Sequence, residues 1–162
     1  MTGNPTAATP HAAKRLARLV AVQALYQNKF EQETATQIIG AMIAQNFSSL
    51  RDESDDEHGG SIDGAPDAAL FSAIVKGVAD NLEPLDAMIA GALDARFSAA
   101  RLELLLRTIL RAGAFELHHH GTIPSGIIIN DYVDVARAFF NGKEPGLING
   151  ILDKLAGKLR AA

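Results

Sequence analysis

Three cations stand within five residues of one another near the start of the chain: Lys14, Arg15 and Arg18 in HAAKRLARLVAVQALYQ (11–27). No acid accompanies them, and the segment turns apolar directly after. At about 100° per residue on a helix, Lys14, Arg15 and Arg18 share one arc of about a quarter turn. The N-terminal end of a helix already carries about half a positive charge, so acids there stabilise it and cations do not. A helix start made more positive suits an anion, and a polyanion above all. Two readings follow from the charge pattern: a solvated face that keeps the helix soluble, and contact with phosphates of RNA or DNA, which supplies affinity and salt dependence but little sequence choice. Charge along the chain sharpens the contrast. Residues 1–30 carry four cations and no acid, residues 31–70 carry nine acids against Arg51 alone, and residues 71–162 balance, giving −4 in total.

Other groupings of reactive residue types point to less. His118, His119 and His120 are consecutive, so on a helix their rings diverge by about 100° and cannot share one ion. They read as polar residues at a helix C-terminus, ahead of Gly121. Asp131 and Asp134 are three apart, but an acid–base pair also needs a pocket and an orienting partner. With Arg137 one turn on, the pair reads as a solvated helix face. Glu103, Arg107 and Arg111 form an i, i+4, i+8 row that reads as a surface salt-bridge ladder, with partner or RNA contact by Arg107 and Arg111 as the alternative. Lys143, in FNGKEP, is a second candidate phosphate contact. Asn149–Gly150 interrupts a helical pattern, and close helix packing is the expected reason, with approach of RNA second. No phosphate-cradling glycine motif and no nucleophile elbow occurs. The chain has no Cys, which excludes disulfides, thiolate-bound zinc and thiol catalysis. Neither a cofactor nor an enzymatic activity is expected.

These residues must be positioned by helices. Of the 162 residues 48% are hydrophobic, enough for a packed core. No apolar run reaches the length of a membrane span, and the lack of Cys suits a reducing cytoplasm. Apolar spacing near 3.6 predicts helices over 12–27, 33–47, 67–79, 84–95, 99–117, 124–140 and 145–160. Asp67 and Ser98 are expected N-caps, and Pro84 and Pro145 are expected in first turns. Helix 99–117 is apolar over most of its circumference and should be central. GIIIN (126–130) favours a strand locally, but its pattern continues at helical spacing into Tyr132 and Val135. The expected fold class is all-α, a compact bundle of about seven helices. Residues 1–10 are expected as a flexible tail and 11–162 as a single domain. The acidic stretch 48–66 is expected as an exposed loop insertion between two helical halves.

Several segments together resemble the NusB family of transcription antitermination factors. AVQALY (21–26) matches the family's first helix after its Arg-rich start. LRAGAFEL (110–117), IPSGIIINDYVDVARAF (123–139) and EPGLINGILDKLA (144–156) match its central helix, its V-P-x-x-V-x-I-N-E segment and its F-V-N-G-(V/I)-L-D-K close, in the same order. The match spans most of residues 11–160, leaving out the acidic stretch. The resemblance implies an all-α fold of two helical subdomains and a heterodimer with NusE, a small-subunit ribosomal protein. It implies that the dimer binds boxA-type single-stranded RNA and joins the RNA polymerase antitermination complex, so that ribosomal RNA operons are read through. By the same resemblance Lys14, Arg15 and Arg18 are RNA-contacting, and Phe139 is an aromatic near the RNA surface. Leu147 stands where the family commonly has a Phe that supports RNA contact. Tyr26 falls near the NusE surface, and Leu106 where many members carry an acid that engages NusE. The alternative is a detached RNA-targeting domain, similar to the helical N-terminal domain of ribosomal RNA cytosine methyltransferases and without catalysis.

Overall fold

The computed structural model describes residues 10–27, 65–93 and 102–160. Among these the chain is entirely helical: α1 (Pro10–Gln27), α2 (Ala68–Asp80), α3 (Leu82–Ala92), α4 (Leu104–His119), α5 (Ser125–Phe139) and α6 (Glu144–Leu159). No described helix is long and apolar enough to cross a membrane. The N-terminal tail, the helix expected over 33–47, most of the acidic stretch and the Ser98 cap lie outside the described residues.

The chain divides into two units, Met1–Val75 and Lys76–Ala162, with the boundary inside α2. In the first unit α1 begins on Pro10, whose fixed φ suits a first helical position. The start of α2 is held at two points. Asp67 accepts the Leu70 amide at 3.0 Å through its side chain, the expected N-cap. The Asp67 amide in turn donates to the Ala13 carbonyl at 3.0 Å, joining the approach to α2 to the first turns of α1.

In the second unit α4 packs against α3, α5 and α6, the central place its all-round apolar pattern demands. Ile109, Leu110 and Leu117 of α4 are fully buried, as are Ile128 and Tyr132 of α5 and Ile148 and Leu152 of α6. The three β-branched residues of GIIIN lie in α5, so the 3.6-residue period prevails over local strand preference. α3 starts two residues ahead of the expected Pro84. Asn81 ends α2 instead, its side-chain amide donating to the Gly77 carbonyl at 2.8 Å, and the next helix begins at once.

Two glycines set how closely α4 is approached. A Cβ on Gly113 would stand 2.8 Å from Leu152 Cδ1, so α6 packs against bare backbone there. A Cβ on Gly77 would run into the Phe115 ring. Ala is the better helix former by about 1 kcal/mol, but overpacking a buried ring costs about 1–3 kcal/mol. Gly77→Ala is therefore expected to lower the urea midpoint, and an unchanged or raised midpoint would show that the ring is free to move aside.

Candidate nucleic-acid interface

The basic start of α1 has no acid in its first turn, so nothing in that turn offsets its positive end. Lys14 and Arg15 are exposed. Lys14 makes no ion pair among the described residues, while Arg15 is engaged within the chain. Arg18 is different. It is only 1% exposed and engaged within the chain, the largest fully buried side chain described. The expectation of three cations standing clear together is thus corrected. The wheel angle places Arg18 in line with Val22, which is also fully buried, and burial along α1 begins at Ala17. The three cations do share an arc, but the helix is covered from about its third turn onward.

In the second unit three candidates flank the turn between α5 and α6. Phe139, last residue of α5, is 36% exposed, a high value for an aromatic ring. Lys143 is exposed immediately before α6, and Leu147 is half-buried in its first turn. Lys143 and Phe139 could offer one strand a charge and a ring face; Leu147 has no ring to stack.

The candidate partner contacts fare unevenly. Tyr26 is half-buried and engaged within the chain. Leu106 is 5% exposed and belongs to the core, so the side chain presents no surface to a partner. Arg107 is half-buried and donates to the Leu102 carbonyl at 3.3 Å. Arg111 does not continue a ladder from Glu103. It clamps Asp86 of α3 with two bonds of 2.8 and 2.9 Å, joining α3 to α4. A bidentate pair of that kind is rigid and leaves little of the guanidinium for another chain.

The other groupings resolve into structure. Asp134 pairs with Arg137 at 2.9 Å on the surface, but Asp131 is 3% exposed and engaged, not solvated as expected. It lies on the face of α5 that carries Ile128 and Tyr132. His118 and His119 are exposed at the end of α4, and the His119 ring stacks on Phe115 with centroids 4.7 Å apart. Partial burial, and then the neighbouring charges of His118 and His120, hold the His119 pKa below its usual value. His120 turns inward to Glu116, Nδ1 to Oε1 at 3.0 Å. Gly150 has no described atom within 4 Å of where a Cβ would stand, so close helix packing does not account for it.

One residue that sequence reasoning passed over organises this end of the unit. Arg160, just past α6, donates to the carbonyls of Leu117 (3.0 Å), His120 (2.8 Å) and Ile123 (2.5 Å) and to Ser125 Oγ (3.1 Å). Last-turn carbonyls have no partner within their own helix. Arg160 therefore caps α4 and ties the following turn to the start of α5. A cation after a helix is ordinarily read as a partner for that helix's own C-terminus, which is why the sequence concealed the role. Arg160→Ala is expected to cost about 2–4 kcal/mol, since bonds to a charged group contribute about 1.5–3 kcal/mol each but overlap in effect. Denaturant titration monitored by circular dichroism would measure it; a loss under about 1 kcal/mol would mean that water replaces the guanidinium without difficulty.

Comparison with known proteins places these features in a family context. The model of the NusB family matches residues 15–157. A transcription antitermination protein NusB from Sphingopyxis alaskensis is 36% identical over 148 residues, covering 91% of this chain and 95% of that protein. Among solved structures, NusB of T. maritima superposes with a TM-score of 0.67 at 25% identity, covering 93% of this chain and 92% of the other. A NusB chain from a complex of antitermination factors NusB and NusE with dsRNA superposes with a TM-score of 0.65 at 21% identity, covering 89% and 96%. At that identity the second likeness concerns the fold.

Proposed function

The chain belongs to the NusB family, and we propose on that footing that it is a non-enzymatic, RNA-binding transcription antitermination factor. It binds boxA-type RNA together with NusE in the cytoplasm, enters the RNA polymerase antitermination complex and promotes read-through of ribosomal RNA operons. The observation that carries the reading is the exposed Lys14–Arg15 pair on a helix start with no acid in its first turn. The name of the 36%-identical relative supports it. So does the fold shared with a chain solved together with NusE and dsRNA.

The physical content is electrostatic. Lys14, Arg15 and Lys143 each meet a phosphate, and Phe139 offers a ring on which a base can stack for about 1–3 kcal/mol. Leu147 contributes apolar contact in place of stacking. Arg18, buried as it is, supports α1 from within rather than meeting a phosphate. Tyr26 is the proposed contact to NusE; Leu106 is withdrawn from that role, and Arg111 is committed to Asp86.

Co-purification with NusE, followed by titration of a boxA-like RNA and a scrambled one at several salt concentrations, tests the reading. The complex is expected to prefer the boxA-like strand, with affinity falling as salt rises. Equal affinity for both strands, independent of salt, would refute it.

A further inference from the structure

α5 and α6 enclose between them an open groove of about 270 Å³ on the second unit. Ile129 and Val133 of α5 form its floor, and both are buried. Its rim is polar and exposed: Asn130 and Arg137 from α5, Asn149 and Asp153 from α6. An apolar floor under a hydrogen-bonding rim matches a flat ring with apolar faces and a polar edge. We propose that this groove receives one unstacked base of the bound RNA and selects a base bearing an amino group. The proposal rests on the RNA-binding reading above and adds base choice to it.

The rim chemistry sets the choice. Asn130 and Asn149 each offer a donor and an acceptor, so they bond to any base edge. Asp153 only accepts, and it has no ion pair among the described residues. A carboxylate accepts well from an exocyclic amino group, which adenine, cytosine and guanine carry; uracil has none, and its single N3–H lies between two carbonyl oxygens that repel a carboxylate. Arg137, also on the rim, bonds to Asp134 at 2.9 Å.

The position favours RNA over a protein segment as the occupant. Asn149 lies six residues beyond Lys143, about 9 Å along the helix axis. A strand with a phosphate on Lys143 brings its neighbouring nucleotides to the mouth of the groove. Gly146 and Gly150 of α6 have no described atom within 4 Å of a Cβ position. Packing among the described residues therefore gives no reason for either, and both leave α6 backbone open to close approach beside Asn149. Unstacked single-stranded bases read by hydrogen bonds on their edges are the usual basis of sequence-specific RNA recognition.

The test uses the full chain in complex with NusE, a short single-stranded RNA, and a series in which each position in turn carries uridine or an abasic site. One position is expected to lose about tenfold in affinity on either replacement, the scale of one good pairing. Asn149→Ala should reduce that penalty to under about twofold. Asp153→Asn, which adds a donor, should remove the penalty for uridine while keeping that for the abasic site. The salt slope should stay unchanged in both variants, and both residues are exposed, so matching urea midpoints confirm intact folding. Binding without any position-specific penalty overturns the base pocket and leaves the RNA-binding reading standing. So do penalties identical in wild type and variants, or variants that lose NusE affinity instead, which assigns the groove to protein. No RNA binding by the wild type overturns both.

Discussion

Lys14→Ala combined with Arg15→Ala lowers affinity for single-stranded RNA about tenfold near 50 mM salt and flattens the log–log salt dependence by about 1.4, or about 0.7 for each phosphate no longer neutralised. The two side chains are exposed and Arg15 also has a contact within the chain, so stability should change by less than about 1 kcal/mol, the range of exposed contacts. Arg18→Ala makes the opposite pair of expectations. Its side chain is buried and engaged, so removing it should destabilise the fold by about 2–4 kcal/mol, with RNA affinity per folded molecule nearly unchanged. The contrast separates contact from support among three neighbouring cations that a helical wheel treats alike. Isothermal titration at three or more salt concentrations reads the slope. An unaltered slope in the double variant would remove the start of α1 from the RNA site, whatever the family.

That contrast also marks where sequence reading stops. The helices were legible because burial on one face repeats at 3.6 residues, and each such pattern is local. Asp67 was legible as a cap because its bond to Leu70 spans three residues. The depth of Arg18 was not legible: a wheel gives angle around an axis, and burial along the axis depends on what covers the helix. The same limit hid the clamp of Arg111 on Asp86, 25 residues away, and the capping of α4 by Arg160 from 40 to 43 residues away. Such pairs depend on how one helix is registered against another. Leu106 shows a related failure. The resemblance implied a partner contact there, but Leu106 is buried in the core. Of the proposed RNA contacts, Lys14, Arg15, Phe139 and Lys143 have the exposure their roles require.

The second large effect concerns a buried carboxylate that no motif announced. Glu116 of α4 is fully buried. Its Oε2 accepts the Tyr132 hydroxyl from α5 at 2.6 Å, and its Oε1 faces His120 Nδ1 at 3.0 Å. A carboxylate in such a place is tolerable only when its oxygens are bonded. Glu116→Ala should therefore cost about 3–5 kcal/mol, because it removes the acceptor of the buried Tyr132 hydroxyl and also opens a cavity. Tyr132→Phe keeps the ring and removes one donor, for about 1–3 kcal/mol. If the two groups act chiefly through each other, the double variant should cost less than the sum of the singles by about 1 kcal/mol or more. Additive losses in that cycle would mean that the short bond holds little of the stability and that packing around α4 and α5 holds the rest. Because α4 also carries the cap from Arg160 one residue further on, a loosened Glu116 should fray the α4 C-terminus before the rest of the unit. Amide exchange would show this as lost protection at Leu117 and His118 ahead of Ile109 and Leu110. Uniform exchange across α4 would instead mean that the helix opens as one piece.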